Sequence, residues 1–154
     1  VDKVLYWPFI DSTANVIFNM TGVEVAFEDE VYEQKGELRS FGLTYIIDFS
    51  GSVSGRFAID MEPRLAINVA NNITGESYDN IHQYKVFATI SKLSSIIADE
   101  AIGLLEEKCL LKIFAAPPVI FTECGSLISI KNMPSISIDG STAYGSIRLN
   151  IAME

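Results

Sequence analysis

Asp99, Glu100, Glu106 and Glu107 are carboxylates gathered in one stretch and can be read as acid–base groups, while Asn68 and Asn71 are carboxamides three residues apart. Residues at i and i+3 share a helix face, so the two asparagines would point the same way if their segment is helical. A plainer reading sits beside each. The acids fall on the wet side of a helical stretch, and the asparagines are ordinary solvated positions on an outer face. A third set, Ser91, Ser95, Ala98 and Ile102, forms a ridge of mostly small residues with Lys92 and Asp99 at its rim. Small residues let another backbone approach closely, which makes the ridge either a docking surface for a partner or a second packing face inside the fold.

Other chemistries lack their residues. His82 is the only histidine, Cys109 and Cys124 are the only cysteines, and no Cys-x-x-Cys occurs. That leaves no ligand set for zinc or a redox metal and implies no cofactor. A Ser-His-Asp triad would have to use His82, and nothing near it resembles a nucleophile elbow, so His82 reads as a surface-loop residue. Two cysteines in a chain of this size are no disulfide framework, and both are expected to be reduced and largely packed. Asn19-Met20-Thr21 and Asn72-Ile73-Thr74 match a glycosylation acceptor, a reading that requires secretion, which nothing else in the sequence supports.

Charge and length narrow the partners. The 154 residues carry a net charge of -9 and are 49% hydrophobic, enough apolar surface for one well-filled domain over 1–154. The acidic balance argues against nucleic acid and anionic membrane, both of which are bound through Lys and Arg. No apolar run approaches the roughly 20 residues that span a bilayer, and no signal peptide opens the sequence. A cytoplasmic protein with protein or small-molecule partners is expected.

The element that positions most of these residues is the stretch from Gln83 to Lys108. Val86, Ile90, Leu93, Ile97, Ala101 and Leu104 recur there at spacings of three and four, which makes one buried helical stripe. An earlier helix is expected from Pro8 to Met20, with Pro8 in its first turn and Gly22 at its end. Another runs from Glu62 to Thr74, with Pro63 in its first turn, Gly75 as its stop, and Arg64, Asn68 and Asn71 facing out. Strands are expected at Val23 to Glu28, Ser40 to Phe49, Ser52 to Asp60, Leu110 to Ala115, Val119 to Thr122, Ser126 to Ile130, Ser135 to Ile138 and Ala143 to Met153. The second and third of these form a hairpin around Ser50-Gly51-Ser52 with one face buried. The charged segment Asp29 to Arg39 reads as a solvated loop or hairpin tip, and Pro117-Pro118 belongs at an edge or bend.

Pro8-Phe9-Ile10 with Asn15-Val16 and Met20-Thr21-Gly22 resembles the opening helix of CheX, in the CheC/CheX/FliY family of chemotaxis phosphatases. The resemblance to the family extends along the chain through the hairpin ending Gly55-Arg56-Phe57-Ala58-Ile59, the helix ending Ile73-Thr74-Gly75-Glu76, the long helix, the strand Pro117-Pro118-Val119-Ile120 and the closing strand Gly145-Ser146-Ile147-Arg148-Leu149. The resemblance implies an α/β (α+β) layered fold, a mostly antiparallel six-stranded sheet covered by long helices. It also implies a domain that engages a CheY-like response-regulator receiver and dephosphorylates its aspartyl phosphate, in a family whose members tend to be homodimers. The family uses Glu-x-x-Asn on the long helix, a carboxylate that contacts the receiver and a carboxamide that positions the attacking water. Both reach one phosphoryl site from a shared helix face.

Alignment on that motif puts Ser95 at the Glu position and Ala98 at the Asn position. A shift to use Glu100 puts Gly103 in place of Asn. Neither supplies a group to steer water, so the inherited motif is absent. Three readings follow. The chain binds a receiver with weak or lost phosphatase activity, using Ser91, Lys92, Ser95, Ala98, Asp99 and Ile102. Alternatively, it is an active aspartyl-phosphate phosphatase with non-standard residues, for which Asn68 and Asn71 are candidates. Otherwise it is a non-catalytic dimerisation or sensing module.

Overall fold

The computed structural model describes residues 2–129 and 133–154. Helix α1 is Lys3–Thr21, followed by β1 (Ala26–Phe27), β2 (Tyr32–Glu33), β3 (Glu37–Arg39), β4 (Leu43–Gly51) and β5 (Gly55–Met61). Helices α2 (Pro63–Thr74) and α3 (Tyr84–Cys109) come next, then β6 (Ile113–Ala115), β7 (Val119–Phe121), β8 (Leu127–Ser129), β9 (Ser135–Thr142) and β10 (Gly145–Met153). Position 130, at the end of the strand expected over 126–130, lies outside the described residues.

Helix α1 starts well before Pro8. The Asp2 side chain accepts the Val4 N–H at 3.1 Å, satisfying one of the orphan donors of the first turn. Pro8 therefore lies inside the helix, buried on its core side. At the far end Gly22, at φ 75°, donates its N–H to the Phe18 carbonyl, a left-handed stop that glycine adopts without penalty. Helix α2 matches expectation, with Pro63 near its start and Gly75 as its left-handed cap.

The main sheet has eight strands among the described residues, two more than expected. Its order is β1-β9-β10-β5-β4-β6, with β2 also on β9 and β7 also on β4. The extra strands arise because each edge is broken in two. Pro117 and Pro118 have no N–H to offer, so one edge of β4 is covered by β6 and then, past the bend, by β7. On the other side the charged segment expected to be a solvated loop supplies β2, which pairs with β9 below β1, and β3, which pairs with β8 as a separate ribbon.

All three helices lie on one sheet face. Tyr45, Ile47 and Phe49 of β4, Phe57 and Ile59 of β5, and Ile147, Leu149 and Ile151 of β10 project into a core with Phe9, Ile17, Leu65, Val69, Ile90 and Ile97. One buried face was expected of the β4–β5 hairpin, and the opposite face is partly covered too. Leu38 of β3 and Ile128 of β8 close over Ala58 and Ile46, so the ribbon roofs this side as well.

Polar residues of the strands are buried as well. Asn150 donates through Nδ2 to Ser135 Oγ, Ser137 Oγ and the Ile136 carbonyl, and its Oδ1 accepts from Arg56 Nη2 at 3.3 Å. Asp60, 4% exposed, accepts from the Phe41 N–H and the hydroxyls of Thr44 and Ser40. Burial pushes the Asp60 carboxyl up to about 6, against the opposing pull of those donors and of the Arg148 guanidinium. A folded-state value above the unfolded one, near 3.8, means that the native state holds the extra proton between these limits. The resulting stabilisation is present at low pH and is lost as pH rises through about 6. The stability of the wild type relative to Asp60→Asn is therefore expected to fall by about 2 kcal/mol from pH 4 to pH 7. Urea unfolding of the two proteins across that range checks it, and parallel curves would contradict it.

Candidate functional site

Helix α3 is held at both ends. The Tyr45 hydroxyl donates to the Phe87 carbonyl at 2.9 Å near its start, and burial pushes the Tyr45 phenol above its usual range. Near its end Glu106 accepts the Ile113 N–H at 3.1 Å, fixing the helix to β6. Glu106 is thus half-buried and structural, while Asp99, Glu100 and Glu107 are exposed as expected.

The buried arc of α3 is wider than one stripe. Val86, Ile90, Leu93, Ile97 and Ala101 are buried, and so are Ser94, Ala98, Ile102 and Leu105, while Leu104 is only half-buried. The helix touches α1, α2 and the β4 and β6 strands together, so contact extends around much of its circumference.

This splits the expected docking ridge. Ala98 at 1% exposure and Ile102 at 5% are packed inside, which corrects their assignment to an accessible surface. Ser91 and Ser95 are half-buried, and Lys92 and Asp99 are exposed. Ser95, Ala98 and Asp99 line a groove of about 290 Å³ whose other walls are Ile47 and the Ala115–Pro118 bend. Ala98 contributes to its floor, Ser95 and Asp99 to its open side. Lys92 borders a second groove of about 240 Å³ with Met20, Ile73, Ala88, Thr89 and Leu93.

Residues that must reach a group on another molecule have to be accessible together. The pair Ser95 and Ala98 does not meet that condition. One turn earlier, Lys92 and Ser95 do, with the same spacing of three. Sequence reasoning placed Lys92 only at the rim, because residues 92, 95 and 98 repeat the spacing and nothing but burial separates the two registers.

The asparagine pair is already engaged. Asn71 Nδ2 donates to the Tyr78 carbonyl at 3.0 Å and its Oδ1 accepts the Tyr78 N–H at 2.7 Å, so its carboxamide closes the loop between α2 and α3. Asn68 Oδ1 accepts from Asn72 Nδ2 at 3.3 Å. His82 is exposed in that loop, as expected, with its ring edge-on to Phe87. Both cysteines are free, but Cys124 is exposed and Cys109 half-buried, so neither is packed away as expected. Among the described residues no group of His, Cys, Asp and Glu is placed to hold a metal ion, and no helix is long and apolar enough to cross a membrane.

The family model for the chemotaxis phosphatase CheX matches residues 43–140, well over half the chain. The chain belongs to the CheX family. Solved structures agree in fold. A CheC-like superfamily protein from Shewanella sp. PV-4 superposes with a TM-score of 0.90 at 22% identity, covering 100% of this chain and 99% of that one. CheX from Desulfovibrio desulfuricans gives 0.87 at 20% identity over 97% and 99%. The CheX of a CheX–CheY–BeF3–Mg2+ complex from Borrelia burgdorferi gives 0.72 at 25% identity over 97% of each chain. A sequence comparison with curated proteins finds no match. The layered α+β fold is thus that of CheC and CheX proteins, and the sequence resemblance holds.

Proposed function

We propose that this CheX-family domain binds a CheY-like receiver through the accessible face of α3, at Lys92, Ser95 and Asp99, without hydrolysing its aspartyl phosphate. One observation carries the second half. From Tyr84 to Cys109 the helix contains neither Asn nor Gln, so no register of a Glu-x-x-Asn motif finds a carboxamide. A hydroxyl at Ser95 can hydrogen-bond, but it does not present the paired donor and acceptor of an amide. Binding is supported by family membership and by the CheX–CheY complex among the structural relatives. A cytoplasmic location follows from that role, as does a single functional unit over 1–154.

The decay of a phosphorylated CheY-like receiver is expected to be the same with and without the purified protein, while titration shows binding. Ser95→Arg, which fills the groove, should weaken that binding at least about tenfold, as expected for a charge forced into a contact. Accelerated decay would sink the proposal.

A homodimer is a second reading, favoured by the β6–β7 edge. Phe114, Val119 and Phe121 are 67%, 56% and 39% exposed, and they pair with Ser50, Ile46 and Thr44. Those partners lie an even number of residues apart on β4, so the three apolar side chains share one sheet face. Such a row suits a second copy of the same edge. Sedimentation at micromolar concentration is expected to show a dimer, and Phe114→Glu with Val119→Glu a monomer. A wild type that sediments as a monomer rejects this reading.

A further inference from the structure

The groove between the start of α1 and the end of α3 belongs to neither reading above. Lys3, Val4, Trp7, Pro8 and Asp11 of α1 and Leu104 and Lys108 of α3 line a space of about 350 Å³. That is near the lower limit of cavities that take small organic ligands, about 300–1,000 Å³. The helices are antiparallel, since Met20 at the other end of α1 faces Ala88 and Thr89. Lys3 and Lys108 therefore share one end, Trp7, Pro8 and Leu104 form the middle, and Asp11 closes the far end.

The charges are arranged along that line. Among the described residues the ion pairs are Lys35 with Glu33 and Arg148 with Asp139, so neither Lys3 nor Lys108 is neutralised by a carboxylate. Lys3 Nζ instead lies 5.4 Å from the centre of the Trp7 ring, against the wall of the groove. Two lysines without a carboxylate partner line this one groove, on a chain of net charge -9. Between them and Asp11 lies an apolar run of about 12 Å, the rise of eight helical residues. A third helix would gain only about two turns of contact there, far below a standard protein interface. A linear small molecule fits that length.

We propose that this groove binds an amphipathic monocarboxylate, with its carboxylate between Lys3 and Lys108 and its hydrocarbon tail along Val4, Trp7, Pro8 and Leu104. Asp11 gives the site a direction, because a second carboxylate at the end of the tail would lie against it. A ligand with a cationic head would meet the two lysines.

Trp7 is the only tryptophan, so its fluorescence reports on this groove alone. The full chain is titrated at neutral pH with decanoate, with the dicarboxylate sebacate and with decyltrimethylammonium, all below micelle formation, and the heats are measured in parallel. Decanoate is expected to give a saturable change, and the other two at least about tenfold weaker binding. Lys3→Glu with Lys108→Glu should weaken decanoate about tenfold or more while circular dichroism stays unchanged. Lys3→Arg with Lys108→Arg should retain it. Equal response to all three amphiphiles, indifference to the charge reversal, or no saturable signal in either measurement overturns the proposal.

Discussion

Replacing Lys92 by Glu and Ser95 by Asn together is expected to make the protein accelerate the decay of a phosphorylated receiver, against the unchanged decay expected with the wild type. The two positions are three apart on the accessible face of α3, one exposed and one at the groove. The substitutions supply the carboxylate and the carboxamide of the family motif on a helix already fixed by Tyr45 and Glu106. A group that orients or stabilises at a reacting centre is worth roughly 10²–10³ in rate. At least a tenfold gain is a modest expectation for a groove not otherwise adapted to the chemistry. The competing register, Ser95→Glu with Ala98→Asn, should behave differently. Position 98 is 1% exposed at the groove floor, so a longer side chain there would press on packed neighbours, at about 1–3 kcal/mol and with no expected gain in rate. Acceleration by this second pair and not by the first would show that the motif lies one turn later.

Phe9→Ala should be the most damaging single substitution in the layer between α1 and the sheet. Phe9 is fully buried, stacked on Phe49 with ring centres 5.9 Å apart and tilted against Phe57 at 4.8 Å. Removing a buried phenyl loses its transfer free energy and leaves a cavity, together about 3–5 kcal/mol, with the aromatic contacts adding to the upper end. Phe9→Leu, which fills most of the volume, should cost much less, about 1–2 kcal/mol. Urea midpoints at constant slope decide the matter. A loss below about 1 kcal/mol for the alanine variant would mean that α1 is not held by this cluster.

Helices α2 and α3 were legible because period and punctuation agree, with Pro63 and Gly75 bracketing one and an apolar stripe running through the other. The start of α1 was not, because Pro8 also fits a first turn and the Asp2 cap lies upstream of the apolar pattern. The long strands β4, β5 and β10 show in the sequence through alternation. The two-residue strands β1 and β2 have no room for alternation and exist only because β9 offers them an edge. The buried polar face was hidden for a related reason. Arg56, Asp60 and Asn150 have the spacing of solvent-facing residues, yet all three are buried, against partners such as Phe41 and Ser135 that no local pattern brings to them. In the site, Ser95 and Asp99 could be named from the helix alone. The loss of Ala98 and Ile102 to the interior depends on three neighbouring layers that no local pattern encodes.

Pro117 and Pro118 also bear on how far assembly can spread. An unbroken apolar edge is a template on which strands can add without limit, the route to fibres. Here the outer side of β4 carries two three-residue pieces separated by residues that cannot donate, so a pairing that begins along β6 meets a stop before β7. Strand addition along this edge is thereby limited to short pieces, whatever the apolar row on the sheet face contacts.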